Sequence, residues 1–430
     1  MPDSRPTLRV SDVADHVADL VFGPGADPDG LGVELEWLTS QGGREHRLPV
    51  EAATALIDGL SPLPRGSRLT LEPGGQLELS SAPFRSIDDV CTAAAADLAV
   101  LDEACDEHRV ELLALGADPT RPPQRVAVAP RYQAMEHYFD QLGSAGRTMM
   151  CNTAAIQVNV GLGAPADVTA RWTLANRLGP TLIATFANSP LSDGLPTGWQ
   201  SSRLRAWWAL DPTRSAPVSC DRAPIDAWTA YALDARVMLI RVDDEHCVPI
   251  TEPLSFGEWL ADGHELGWPT ADDLAYHLTT LFPPVRPKGW LELRMFDALP
   301  DPAWKVAVAV AGALLTDPAA VTEVTSAVGA SSDLWVDAAQ LGLGHPELAR
   351  SARAVFAVAR DALRTAGVST EVQDLVADYD ERWVARGRSP ADDRLDAWRV
   401  DGDLFPPDAR ATRATDSSVL AGAERGPSRP

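Results

Sequence analysis

The sequence lacks the usual signatures of phosphate cradles and soft-metal sites. It has no GxxxxGK[ST] and no GxGxxG after a strand, so neither a P-loop nor a dinucleotide-binding turn is available to hold a phosphate. Cysteine is scarce: five thiols at 91, 105, 151, 220 and 247, none in a CxxC pair. That spacing argues against a zinc site or a disulfide framework and for free thiols in a reducing compartment. Basic residues are also short, 37 Lys and Arg against 61 Asp and Glu, for a net charge of -24. Such a field disfavours nucleic acid and anionic membrane surfaces, and a nucleotide would need local help from Arg, Lys or a divalent metal. The longest apolar run, VAVAVAGALL from Val306, is about ten residues, where a spanning helix needs about twenty. The first residues, MPDSRPTLRVSDVADHV, lack the apolar core of a signal peptide. A cytoplasmic location is expected.

What remains is an ordinary globular composition, 45% hydrophobic and 23% charged, able to build a sizeable core. Periodicity predicts an amphipathic helix over 8–22 with Ser11 as N-cap. LGVELEWLTS follows as a strand, VEAATALIDGL as a helix, and SRLTLEPGGQLELSS as two strands around a turn. The Ala- and Leu-rich stretch 87–115 reads as one long helix. RYQAMEHYFDQLG reads as another, and RTMMCNTAAIQVNVGL as one long strand containing Cys151. After a helix over 171–186, NSPLSDGLPTGWQSSR is expected to be a functional or disordered loop, with Trp199 a candidate lid residue. A helix, a Pro-rich turn and a strand are expected over 272–300, and Ala-rich helices over 303–399. The tail, 401–430, is polar and small and is expected to be disordered. Strands and helices do not alternate as a βα series and no repeat is visible. The expected class is therefore α+β with an antiparallel sheet, one large domain over 1–400.

Four strands carry chemistry on one face, because residues two apart in a strand share a face. Glu34 and Glu36 oppose Val33, Leu35 and Trp37. Gln76, Glu78 and Ser80 oppose Leu77 and Leu79. Gln157 and Asn159 oppose Ile156, Val158 and Val160, and Glu292 and Arg294 oppose Leu291, Leu293 and Met295. A half-exposed antiparallel sheet would look like this. So would a metal site. Two strand glutamates roughly 7 Å apart repel by about 2 kcal/mol at an effective dielectric near 20. Hard divalent cations, which take carboxylate and amide oxygens, would relieve that. Arg294 offers a fork for carboxylate or phosphate.

Together, GVELE, LEPGGQLELS, AGRTMMCNTAAIQVNVG and HLTTLFPPVRPKGWLELRMFD resemble the glutamate–cysteine ligases of the plant-type and actinobacterial branch, in particular those that make γ-glutamylcysteine for ergothioneine biosynthesis. The likeness covers roughly residues 8–395. It implies a fold shared with glutamine synthetase and guanidino kinases: a curved antiparallel sheet forming a funnel, helices outside, ATP and Mg2+ on the inner face. It implies Glu34, Glu36, Glu72, Glu78 and Glu292 as metal-binding acids, and Gln157 as a metal or nucleotide contact beside Asn159. Arg286 and Arg294 are implied as catalytic anion binders, with Arg203 near the substrates. The implied reaction joins the γ-carboxylate of L-glutamate to the amine of L-cysteine through γ-glutamyl phosphate, with ATP as co-substrate.

The family strand often continues past its arginine with Gly-Ala-Asp or Tyr-Leu-Asp, and here it reads ELRMFD. Met295 and Phe296 are therefore expected to reshape the acceptor pocket. A different amine acceptor stays open as an alternative, as does a non-catalytic metal- or amino-acid-binding protein on a ligase scaffold. No nucleic-acid or membrane partner is expected. No role is expected for the histidines, His277 being the one possible exception. Trp207 and Trp208 are expected to pack, while Arg203 and Arg214 suit either surface ion pairs or substrate contacts.

Overall fold

The computed structural model describes residues 6–23, 27–60, 62–243 and 245–405. The expected tail lies outside the described residues from 406 onward. Among the described residues eleven strands form in chain order: β1 (Leu31–Gln41), β2 (Arg68–Leu71), β3 (Leu77–Ser80), β4 (Val110–Leu113), β5 (Ala155–Gly161), β6 (Leu191–Ser192), β7 (Leu195–Pro196), β8 (Leu239–Arg241), β9 (Cys247–Pro249), β10 (Val285–Pro287) and β11 (Trp290–Asp297). Seven of them make one sheet in the order β10-β11-β5-β1-β3-β2, with β4 also paired to β1. Every pairing in it is antiparallel. The expected mixed class with an antiparallel sheet is what forms, and the sheet does not close into a barrel.

One face of the sheet is the floor of the core. Val33, Leu35, Leu77, Leu79, Val158, Val160, Leu291 and Leu293 are all buried, each worth roughly 1.5–3 kcal/mol of transfer free energy. Against that face pack the helices Val168–Phe186 and Ala303–Thr316, the latter buried along most of its length. Thus the longest apolar run in the chain is a core helix. Among the described residues no single helix is long and apolar enough to cross a membrane.

Three expected elements differ. The helix predicted over 87–115 stops at His108, because Arg109 adopts a left-handed conformation (φ 56°) that ends an α-helix. Beyond it, VELL runs as β4 beside β1, with Leu113 opposite Leu38. The strand predicted from Arg147 is half helix: Ala145–Asn152 is helical and only Ala155–Gly161 is extended. Cys151 is therefore a buried helix residue. Over 8–22 the chain splits into a 3-10 turn, a short α-helix and a π turn. Ser11 caps nothing; its hydroxyl donates to Asp12 Oδ1 at 2.6 Å.

The loop after Phe186 is ordered. Ser189 N donates to Gln200 O, Ser201 N to Ala339 O, and β6 and β7 form a small hairpin inside it. Its anchor is Asp297 at the end of β11. That carboxylate accepts from Asn188 N at 2.8 Å, Ser189 Oγ at 2.7 Å and Ser201 Oγ at 2.9 Å. Trp199 packs against the core and does not line the cavity described next.

Candidate active site

The polar face of the sheet lines a cavity of about 430 Å3. Strand alternation brings the acids there: with Leu35, Leu77 and Leu79 fixed in the core, Glu34, Glu36 and Glu78 must point the other way. Register then crowds them, because Glu36 stands directly opposite Glu78 across the β1–β3 pair. Like charges in that position oppose strand pairing.

Glu72 arrives through the turn that precedes β3. Glu72 N donates to Gln76 O and Gly75 N to Glu72 O, both at 2.9 Å. Gly75 takes φ +89°, and a Cβ on Gly74 would come within 2.3 Å of Cys151 O, so both positions require glycine. Gln76 locks the turn: its Oε1 accepts from Gly74 N at 2.9 Å and its Nε2 donates to Thr153 O at 2.8 Å. Pro-Gly-Gly-Gln is thus a structural brace that delivers two acids to one cavity.

The four floor acids, Glu34, Glu36, Glu72 and Glu78, have no cation within ion-pair distance among the described residues. Neutral donors hold three of them instead. Ala155 N (2.9 Å) and Gln157 Nε2 (2.8 Å) serve Glu36; Asn159 Nδ2 serves Glu34 at 3.0 Å; Ser80 and Thr70 hydroxyls serve Glu78 at 2.8 and 3.2 Å. Burial pushes all four carboxyls above their ordinary range. Glu34 reaches about 7, with Glu292 and Glu78 adding repulsion. For Glu72 and Glu78, neighbouring glutamates add to burial in the same way. For Glu36, burial outweighs the help of Arg203 and Arg294.

Across the cavity the balance inverts. Glu292, fully buried, meets three cations: Lys288 Nζ at 2.8 Å, Arg286 Nη1 at 3.7 Å, and Arg294 Nη1 in close contact. Burial alone would raise its pKa; Arg294, Arg286 and Lys288 outweigh burial and hold it down to about 2. Arg294 Nη1 also donates to Gln157 Oε1 at 2.5 Å, and its guanidinium sits 5.4 Å over the Trp207 ring. Gln157 therefore bridges the two sides, with its amide NH on Glu36 and its carbonyl on Arg294. Two buried donors on this side, Arg294 Nε and Trp207 Nε1, have no acceptor among the described residues, a cost a bound ligand oxygen would remove.

Of the residues singled out by sequence, the cavity collects Glu34, Glu36, Glu72, Glu78, Glu292, Gln157, Arg203, Arg286 and Arg294. Asn159 lies beyond it. It lines a second cavity of about 350 Å3 with Asp27, Arg68, Ser81 and Trp290, and accepts from Trp290 Nε1 at 3.0 Å.

Arg203 is 2% exposed on its side chain and faces Asp297 at 3.5 Å, while its Nη2 donates to Arg294 O at 2.5 Å; it braces the arginine next to it. Arg214 is neither surface ion pair nor substrate contact: fully buried, it pairs with Asp211 at 3.2 Å and donates to Thr280 O at 2.8 Å. His277 is also structural. Its ring stacks on Phe256 and its Nε2 bonds Ala232 O, and burial drives its pKa down to about 3. Trp207, expected only to pack, also lines the cavity. Met295 lines a recess of about 20 Å3 behind Arg294, but Phe296 does not. A register irregularity between Leu293 and Phe296 turns that ring into the core against Phe186, 5.1 Å away.

Sequence reasoning missed Arg131, Lys288 and Asp297. Arg131 lines the cavity and is fixed by Thr279 through Oγ1 at 2.8 Å and the carbonyl at 2.9 Å. Its only signal was the HLTT segment that supplies its partner, 148 residues away.

Comparison with known proteins gives the family. The family model described as Glutamate-cysteine ligase family 2 (GCS2) matches residues 30–415. The chain is 39% identical over 409 residues to the glutamate–cysteine ligase EgtA of Mycobacterium tuberculosis, covering 92% of each. It is 42% identical over 350 residues to EgtA of Mycolicibacterium smegmatis, covering 80% of this chain and 81% of that one. The chloroplastic glutamate–cysteine ligase of Medicago truncatula is 32% identical over 256 residues, 56% of this chain and 49% of that protein. Among solved structures, the glutamate–cysteine ligase of Francisella tularensis in complex with AMP superposes with a TM-score of 0.55 at 14% identity, covering 87% of this chain and 86% of that one. At such identity the likeness speaks for the fold. The extent of the family match and the identity to full-length relatives identify this chain as a member of the glutamate–cysteine ligase family 2.

Proposed function

We propose that the glutamate–cysteine ligase reaction of this family takes place in the acid-floored cavity, with ATP, L-glutamate and L-cysteine as substrates and γ-glutamylcysteine, ADP and phosphate as products. The protein is an ATP-dependent ligase, and its product is the one that ergothioneine biosynthesis draws on. One observation carries the placement: four half-buried glutamates crowd one side, Glu36 opposite Glu78, while the other side presents a surplus of cations around Glu292. Such a site takes up positive charge on its floor and a polyanion against its wall.

The floor suits divalent cations of the magnesium type. Its donors are all oxygen, from carboxylates and an amide, with no thiol or imidazole among them, the set a hard cation prefers. Among the described residues no three acids stand ready-made as a coordination group, so the fit rests on donor chemistry and like-charge crowding. Glu34, Glu36, Glu72 and Glu78 would hold the ions. Glu292 already faces three cations, and an ion there would have to share it. When bound, Mg2+ would neutralise the phosphate oxygens of ATP and the floor acids together.

The chain's own residues do the rest. Arg294 and Arg286, held by Glu292, bind and orient carboxylate and phosphate oxygens. Gln157 fixes Arg294 against Glu36, and Arg203 backs it from Asp297. The γ-carboxylate of glutamate attacks the γ-phosphorus of ATP, releasing ADP. The cysteine amine then attacks the acyl carbon, loses a proton, and phosphate leaves. No protein nucleophile is needed. The second cavity, beyond Asn159, would take the nucleoside end of ATP. A funnel-shaped sheet of the glutamine synthetase kind belongs to the same reading, as does a reducing cytoplasm, which suits five free thiols.

The test is ADP release by purified protein with Mg2+ and ATP, adding glutamate, cysteine or both, with products read by mass. ADP and γ-glutamylcysteine are expected only when both amino acids are present. Turnover with glutamate and another amine but not cysteine would overturn the acceptor assignment.

A further inference from the structure

The two cavities share a wall, and among the described residues only two, Glu34 and Lys288, line both. Among the described residues Lys288 is thus the one cation that reaches from one chamber to the other. Its backbone is fixed in the two-residue turn between β10 and β11: Lys288 N donates to Trp290 O and Gly289 N to Val21 O, both at 2.8 Å, and Gly289 takes φ +81°.

Its side chain is less committed than its neighbours. The ammonium rests 2.8 Å from Glu292 Oε2 with 34% of the side chain exposed, against 12% and 15% for Arg286 and Arg294. The Trp290 indole supports it at 5.3 Å. Both arginines engage the other oxygen, Oε1, so Glu292 keeps two cations when the ammonium moves, although Lys288 is the partner of Oε2. Arg294 is additionally tied to Gln157 and set over Trp207. A lysine carries its charge as a point on a flexible stem, whereas the arginine forks are rigid. Of the three cations around Glu292, Lys288 alone can swing from that carboxylate to a group passing between the chambers.

We propose that Lys288 is a catalytic residue of the first half-reaction, contacting the phosphoryl group as it moves from ATP to the glutamate γ-carboxylate. This rests on the ligase reading above and on ATP entering through the second chamber. In the step, the bond between the γ-phosphorus and the bridging oxygen breaks, and a bond from that phosphorus to the γ-carboxylate oxygen forms. The electron pair stays on ADP. Lys288 donates hydrogen bonds to the moving phosphoryl and the departing oxygen and transfers no proton.

The experiment is a rapid-quench single turnover with Mg-ATP and glutamate but no acceptor amine. It reads ADP and traps γ-glutamyl phosphate as the hydroxamate. Nucleotide affinity is measured separately by titration calorimetry. Lys288→Met is expected to slow acyl phosphate formation by about 10²–10³-fold, with Mg-ATP affinity and glutamate half-saturation within about fivefold of wild type. Lys288→Arg is expected to recover only part of the loss, and both variants to melt within a few degrees of the parent. Undiminished acyl phosphate formation in Lys288→Met would overturn the proposal. So would loss of nucleotide affinity alone, or a loss confined to turnover with cysteine. If wild-type protein forms no acyl phosphate while Mg-ATP binds, the ligase reading fails and takes this proposal with it.

Discussion

Glu34 and Glu292 face the same site from the same sheet, yet they titrate in opposite directions: Glu34 is raised to about 7 and Glu292 is held down to about 2. Glu292 is buried and Glu34 half-buried, and desolvation pushes both up. The difference lies in the neighbours. Glu34 has an amide and other acids around it; Glu292 has a lysine and two arginines. One side of the cavity lacks positive charge and the other holds a surplus. Burial alone does not decide whether an acid in a fold is finished or waiting for a ligand. The counter-charges decide it.

The largest test of that contrast removes floor charge. Glu78→Gln or Glu72→Gln is expected to cut kcat by two orders of magnitude or more, while leaving the fold intact and the metal-free protein at least as thermostable as wild type, since a repulsive charge has gone. Steady-state kinetics and calorimetry read both. Wild-type turnover in either variant would refute the ion-binding role of the floor.

Next comes the wall. Arg294→Lys removes the fork that meets Gln157 and Glu292 and is expected to lower kcat/KM by about 10²-fold, or 2–3 kcal/mol. Equal activity would mean that charge without geometry suffices there.

A smaller effect follows from pH. Glu34 has a folded-state pKa above its unfolded value, so between about pH 4.5 and 7 the native state binds more protons than the unfolded chain, and stability without metal falls as pH rises through that window. The loss is of order 1–3 kcal/mol. Saturating Mg2+ should flatten the slope and raise Tm more at pH 8 than at pH 6. Urea midpoints at both pH values, with and without chelator, measure it; a slope indifferent to Mg2+ would sink the account.

The smallest effect should come from a thiol outside both regions. Cys151→Ala, in the helix behind the Gly74 turn, is expected to leave kcat within about twofold while costing about 1–2 kcal/mol of stability. A large kinetic loss would mean that the turn carrying Glu72 is softer than its hydrogen bonds imply.

Much of this site was legible before any coordinates. Alternation separated Glu34, Glu36, Glu78 and Glu292 from the apolar residues between them, because a strand has a period of two and its apolar face must be buried. The expectation that Phe296 reshapes the pocket came from the departure from the family strand, and the irregularity after Leu293 overturns it, because the ring packs on Phe186. Around Arg109 helix-favouring composition hid a short strand, and around Cys151 a strand reading hid a short helix, since both are decided by pairing and packing partners far along the chain.

By itself the sequence determined the sheet faces, the glycine turn before β3, the family and the set of acids, since these follow from local periodicity, backbone sterics and residue type. Only the tertiary structure decided which acids have cations. Glu292 and its three partners lie within nine residues of one another, yet nothing local says that Glu36 faces Glu78 or that Arg203 is spent on Asp297. The sequence also does not reveal that Lys288 stands between two chambers. Those are matters of register and approach between distant segments, and electrostatic energy depends on distance and dielectric, which only the folded chain fixes.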